Sequence, residues 1–208
     1  MTNIKKKAFA NIVLSFLFLG TAIVGYIDCW DKCVEMTFLS NATTGTVLFL
    51  GGVYALIFKR DIPHFLYLDC AVLMSSVVIA CSLFAPPMLV VGLAIIPHLI
   101  NPIAIFVYYL KFCDGRNCRI PHVLTALVFP TCYYVFMVLF GLMSSRVVYK
   151  QFDPNIISVS NLSLVGVAAL VGLFVVGVVL LFGNKALHGG LRKRLGKKDK
   201  KGEAAITE

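Results

Sequence analysis

The chain has 208 residues, 59% of them apolar and 14% charged, with a mean hydropathy of +0.89, a mix that excludes a water-soluble globular domain. Recurrent uncharged runs of about 20 residues, the length that crosses a bilayer, leave little chain for a soluble catalytic domain. The net charge of +9 resides mostly in short segments flanking those runs, which points to a membrane surface and away from nucleic acid.

The first run, Ala8 to Ile27, follows Lys5, Lys6 and Lys7. It has the outline of a signal peptide, but without a small-residue cleavage pattern before Asp28 it reads as a retained first helix. Further runs cover Met36 to Phe58, His64 to Phe84, Pro87 to Phe112, Pro121 to Met143 and Val159 to Phe182. The expected fold is therefore all-α, with six transmembrane helices in residues 1–184 and a basic, disordered cytoplasmic tail over 185–208. Pro102 and Pro130 predict a tilt or kink in the fourth and fifth spans. Sixteen of the 19 cations fall at the termini and in alternate loops; only Lys32, Arg146 and Lys150 lie on the other face, beside Asp28, Asp31, Glu35 and Asp153. By the positive-inside rule both termini are cytoplasmic. The membrane itself, cell membrane or endomembrane, is left open. Seven cations in Arg192 to Lys201 suit a solvated topology signal beside anionic lipid. No internal repeat supports an inverted-repeat transporter.

Polar groups inside hydrocarbon are costly unless paired or facing a cavity, so they carry most of the functional information. His98 is the one mid-span histidine, 13 residues before Lys111, or ~20 Å along a helix. It is either a neutral imidazole bonded to a neighbouring helix or a functional base. The second span opens with a hydroxyl-rich stretch in which Thr37, Asn41 and Thr44 share a face, by the helical spacing of three to four. Such a stripe serves helix packing as readily as chemistry, unless a base faces it. Asp69 lies within the third span and could relay protons or pair with a loop cation. Cys29 and Cys33 could bridge in an oxidising compartment. Cys113, Cys118 and His122 fall one ligand short of a structural zinc site, and no metal or organic cofactor is expected.

Thr37-Phe38-Leu39-Ser40-Asn41, the block from His98 to Pro102 with the apolar run Ile103 to Leu110, and Tyr149, Phe152 and Asp153 occur in that order along the chain. In this arrangement the chain resembles a bacterial six-span membrane family related to the eukaryotic androgen-induced-gene and androgen-dependent TFPI-regulating proteins. It departs from the pattern at Met36, where the family has an aromatic residue, and at Lys150-Gln151, where it has a proline-based turn. The resemblance implies a threonine hydrolase of lipid esters, of the kind formed by fatty acids with hydroxy fatty acids. Thr37 would be its nucleophile and His98 its base. Asn41 would orient the site or donate to the oxyanion. Counted from the inner helix ends, Thr37 lies ~33 Å and Thr44 ~22 Å along the second span, so depth favours Thr44 as partner of His98 while the motif favours Thr37. Two other readings stay open. One is a non-enzymatic protein binding a lipid or small solute near His98, Asn101 and Tyr108; the other is a proton-coupled transporter using Asp69 and His98.

Overall fold

The computed structural model describes residues 3–29, 32–144, 148–149, 153 and 157–204. Asp31, Arg146, Lys150, Gln151, Phe152 and the last four residues of the tail lie outside that set. The regular structure among the described residues is all helical, with no strand: α1 at Asn3–Tyr26, α2 at Met36–Phe58, α3 at Phe65–Phe84, α4 at Asn101–Phe112, α5 at Ile120–Ala126, α6 at Val128–Met143 and α7 at Val159–Ala204. Six segments are long and apolar enough to cross a membrane. This is the arrangement open to a chain whose backbone polar groups must be satisfied without water.

The fourth and fifth segments are interrupted. Before α4 the chain passes through short 3-10 turns at Pro86–Leu89 and Gly92–Ala94 and a π turn at Ile96–Ile100. The irregularity thus lies upstream of Pro102, whose ring cannot donate to the carbonyl four residues back, that of His98. In the fifth segment the break between α5 and α6 falls at Leu127, three residues ahead of Pro130. Pro130 likewise leaves the Ala126 carbonyl without its helical donor. α7 runs past Phe182 as one helix to Ala204.

α3 is the central element. More than half of its span (56%) is buried, against 22–39% for the other five, and Tyr67, Leu68, Ala71, Val72 and Met74 are wholly enclosed. α1 and α2 pack along most of their length because glycines let the backbones approach. A Cβ on Gly45 would lie 2.7 Å from Leu19 Cγ, and one on Gly52 2.7 Å from Ile12 Cγ1 and 3.0 Å from the Ala8 carbonyl. Asn184 fastens α7 to the α4–α5 connection: its Nδ2 donates to the carbonyls of Tyr109 (2.7 Å) and Cys113 (2.9 Å), and its Oδ1 accepts from Gly115 N–H (2.8 Å).

At the end of the bundle that holds the N-terminus, Asp61 is clamped between elements. Its carboxylate accepts from Lys7 of α1, from His64 Nε2 (2.9 Å) and from Tyr67 OH (3.2 Å), while Asn11 donates to Tyr67 OH at 2.7 Å. Burial raises the Asp61 pKa, but the hydrogen bonds and charges of His64 and Lys7 outweigh it and hold the carboxyl below its usual range. A carboxylate so depressed stabilises the fold above its unfolded pKa of about 3.9 and loses that contribution as pH falls through the folded value. Asp61→Asn is expected to cost about 2 kcal/mol at neutral pH, because it leaves Lys7 without its partner. It should also flatten the loss of thermal stability below pH 4, as read by unfolding in detergent across a pH series.

Candidate functional site

α2 begins where the chain turns out of an extended Glu35 (φ −67°, ψ 144°), whose side chain makes no cap. Tyrosines from elsewhere brace that start. Tyr149 OH accepts from Met36 N–H at 3.0 Å, Tyr133 OH of α6 donates to the Val34 carbonyl at 3.0 Å, and Tyr26 OH of α1 donates to Glu35 Oε2 at 3.0 Å. Thr37, the second residue of α2, is thereby fixed at one end of the bundle and buried.

His98 lies in the π turn that leads into α4, at that same end. Its Nδ1 is 2.7 Å from the Ala94 carbonyl, and its Nε2 is 3.3 Å from Thr37 Oγ1. Since a carbonyl only accepts, Nδ1 carries a proton, and in the neutral ring Nε2 then presents its lone pair to the threonine hydroxyl. A hydroxyl donating to an oriented, neutral imidazole is the arrangement from which a base can activate a nucleophile.

Asn41 and Asn101 hold this pair together. Asn41 Nδ2 donates to the Thr37 carbonyl at 2.8 Å and to the Pro97 carbonyl at 3.5 Å, and its Oδ1 accepts from Asn101 Nδ2 at 2.6 Å. Asn101 Nδ2 also reaches Thr21 Oγ1 of α1 at 3.3 Å. Both amide hydrogens of Asn41 are thus directed at backbone carbonyls of α2 and the π turn, which suits orientation and leaves none for an oxyanion. Among the described residues no side chain caps the first turn of α2, and a helix start leaves its first N–H groups, here including those of Thr37 and Phe38, without intrahelical acceptors.

Thr37 and His98 line a cavity of about 770 Å³. Its walls are largely apolar, drawn from α3 (Val77, Ala80), α6 (Tyr133, Met137) and α7 (Leu170, Leu173). Glu35 and Tyr149 also face it. Tyr134 ties α6 to α7 over the cavity through its OH on the Leu162 carbonyl.

The other residues singled out by sequence lie elsewhere. Thr44, two turns further along α2, is buried against Cys70 of α3. Asp69 accepts from Thr125 OH of α5 at 3.1 Å, near the opposite end of α3 from the cavity wall. Tyr108 packs on Tyr67 and Phe112, with ring centroids 5.3 and 5.4 Å away, and lines a groove between α1 and α4 rather than the cavity that His98 lines. No disulfide joins Cys29 to Cys33. His122 stacks on Phe65 at 4.9 Å and accepts from Arg119 N–H at 2.8 Å. Among the described residues no three His, Cys, Asp or Glu side chains converge to hold a metal. Tyr26, Glu35 and Tyr133 carried no periodic or motif signal, and only the packed structure brings them to Thr37.

No protein-family model, no curated protein and no solved structure matches this chain.

Proposed function

We propose that this protein is a multi-pass membrane hydrolase of lipid esters, with Thr37 as nucleophile and His98 as general base and then acid. The observation that carries the reading is the 3.3 Å contact between Thr37 Oγ1 and His98 Nε2 at the wall of a largely apolar cavity. The motif resemblance supports the same two residues and suggests esters of hydroxy fatty acids as substrates. In the first half-reaction Nε2 takes the Thr37 proton as Oγ1 attacks the acyl carbonyl. The resulting oxyanion is met by first-turn N–H groups of α2, with the positive end of the helix dipole behind them. The C–O bond to the alcohol then breaks, His98 returns the proton to the departing alkoxide, and the acyl group remains esterified to Thr37. In the second half-reaction water gives its proton to His98 and attacks the acyl-threonine. Thr37 leaves with that proton and the fatty acid is released.

A fluorophosphonate probe tests the nucleophile directly. The purified protein is expected to label, and Thr37→Ala to abolish labelling while leaving the protein monodisperse in detergent. Labelling that survives Thr37→Ala would overturn the assignment, and a wild-type protein that binds acyl chains but never labels would favour a lipid-binding role.

The cation bias supports an orientation with both termini in the cytoplasm. Tags at the two termini should then both resist external protease in intact cells, and a cysteine reporter beside Asp153 should label from outside. Opposite accessibility of the two tags would reject this topology.

A further inference from the structure

At the end of the bundle far from Thr37, an open groove of about 500 Å³ lies between α1 and α4. Phe9 and Val13 of α1 form one wall, Ala104 and Val107 of α4 the other, with Tyr108 and Phe112 also lining it. Phe9, Val13 and Val107 are exposed, on flanks that a bilayer would surround.

The ends of the two walls carry the argument. On α1, Lys5, Phe9 and Val13 follow at intervals of four, and on α4, Lys111, Val107 and Ala104 follow at four and three, so each set shares one helix face. α1 enters the bundle at this end and α4 leaves it there, so both strips terminate in a lysine at the same end of the groove. Lys5 and Lys111 are exposed, and among the described residues neither takes part in a salt bridge, whereas Lys7 is committed to Asp61. Lys111 Nζ stands 5.7 Å from the Phe112 ring centroid, at the rim of the groove.

An apolar trough open to lipid and capped by one cation on each wall complements an amphiphile with an acyl chain and an anionic head. Exposed lysines at the same end of the two walls suit a phosphate, whose several oxygens can serve both. We propose that the α1–α4 groove is a binding site for one anionic phospholipid, with a chain along Phe9, Val13 and Val107 and the phosphate between Lys5 and Lys111. The site is separate from the Thr37–His98 cavity, and it does not depend on hydrolysis.

Native mass spectrometry of the full-length protein in nonionic detergent tests this, with dioleoyl phosphatidylglycerol and dioleoyl phosphatidylcholine as probes of equal chain length. Phosphatidylglycerol, whose head carries a net negative charge where that of phosphatidylcholine is neutral, is expected to bind about tenfold more tightly, as about 1 kcal/mol per basic residue near an anionic lipid surface allows. The Lys5→Gln/Lys111→Gln variant should lose most of that preference, keeping only what the basic tail contributes. Lys59→Gln/Arg60→Gln, which removes the same charge from the same end away from the groove, should keep the preference. Ala104→Trp, which fills the trough without touching a charge, should lose the tight adduct, and inorganic phosphate should not compete. Equal affinity of the wild-type protein for both lipids would overturn the proposal. So would an equal loss of preference in the two charge variants, competition by inorganic phosphate, or a preference that Ala104→Trp leaves undiminished. A wild-type dimer that Ala104→Trp dissociates would assign the groove to a second copy of the chain instead.

Discussion

Thr37→Ala and His98→Ala are each expected to lower kcat/KM for a lipid ester by at least about 10³-fold, equivalent to about 4 kcal/mol of transition-state stabilisation. The size follows from the proposed chemistry. A threonine hydroxyl is a weak nucleophile unless its proton is taken as it attacks, and the group placed to take it is His98 Nε2 at 3.3 Å. Removing either half leaves the other with nothing to act on, so the double variant should be no slower than the worse of the two single variants. Thr44→Ala should change the rate by less than about threefold, because Thr44 packs against Cys70 and away from the imidazole. Steady-state hydrolysis by matched preparations in detergent measures all four. Additive losses from Thr37→Ala and His98→Ala would show that the two side chains do not work as a unit, and a larger loss from Thr44→Ala would move the nucleophile down the helix.

Asn41→Leu should lower kcat about 10²-fold with KM little changed. Asn41 touches no reacting atom in the proposed mechanism; it joins the first turn of α2 to the π turn that carries His98, through the Thr37 and Pro97 carbonyls and Asn101. Leucine has the same branched four-atom outline but cannot bond those groups, so the threonine and the imidazole lose their common anchor. A displacement of about 1 Å is enough to cost such a factor. The variant should also lose about 1–3 kcal/mol of stability, since Asn101 and the two carbonyls are left buried with fewer partners. Asn41→Leu/Asn101→Leu separates the two effects. Replacing both partners with apolar groups should restore much of the stability, yet kcat should stay low because the anchor is still missing. Recovery of kcat together with stability would reduce Asn41 to a packing role.

Helix rise alone misplaces His98 relative to the second span. Counting residues back from Lys59 and Lys111 placed Thr44, and not Thr37, level with His98. The count treated the fourth span as one regular helix with His98 deep inside it. In the folded chain regular α-helix begins only at Asn101, and His98 sits in the π turn just before it. The histidine therefore belongs to the end of the bundle where α2 starts, and Thr37 meets it there. The prolines at 97 and 102 were visible in the sequence as irregularities. How the turns before them would lie against α2 was not, because that depends on Asn41 and Asn101 bonding across helices.

By itself the sequence determined six apolar helices, since each run of about 20 apolar residues must satisfy its own backbone where no water can. It also marked the polar residues whose burial has to be compensated. Which of them meet was decided only by tertiary packing. Lipid is as apolar as the bundle interior, so no hydrophobic pattern along the chain records which helix face turns inward. That choice falls to glycines at 45 and 52 that admit α1, to the asparagine pair that draws α4 against α2, and to α3, α6 and α7 closing a cavity around Thr37 and His98. These contacts join residues far apart in the chain, so their energies are set by shape and hydrogen bonding between helices, which local composition does not encode.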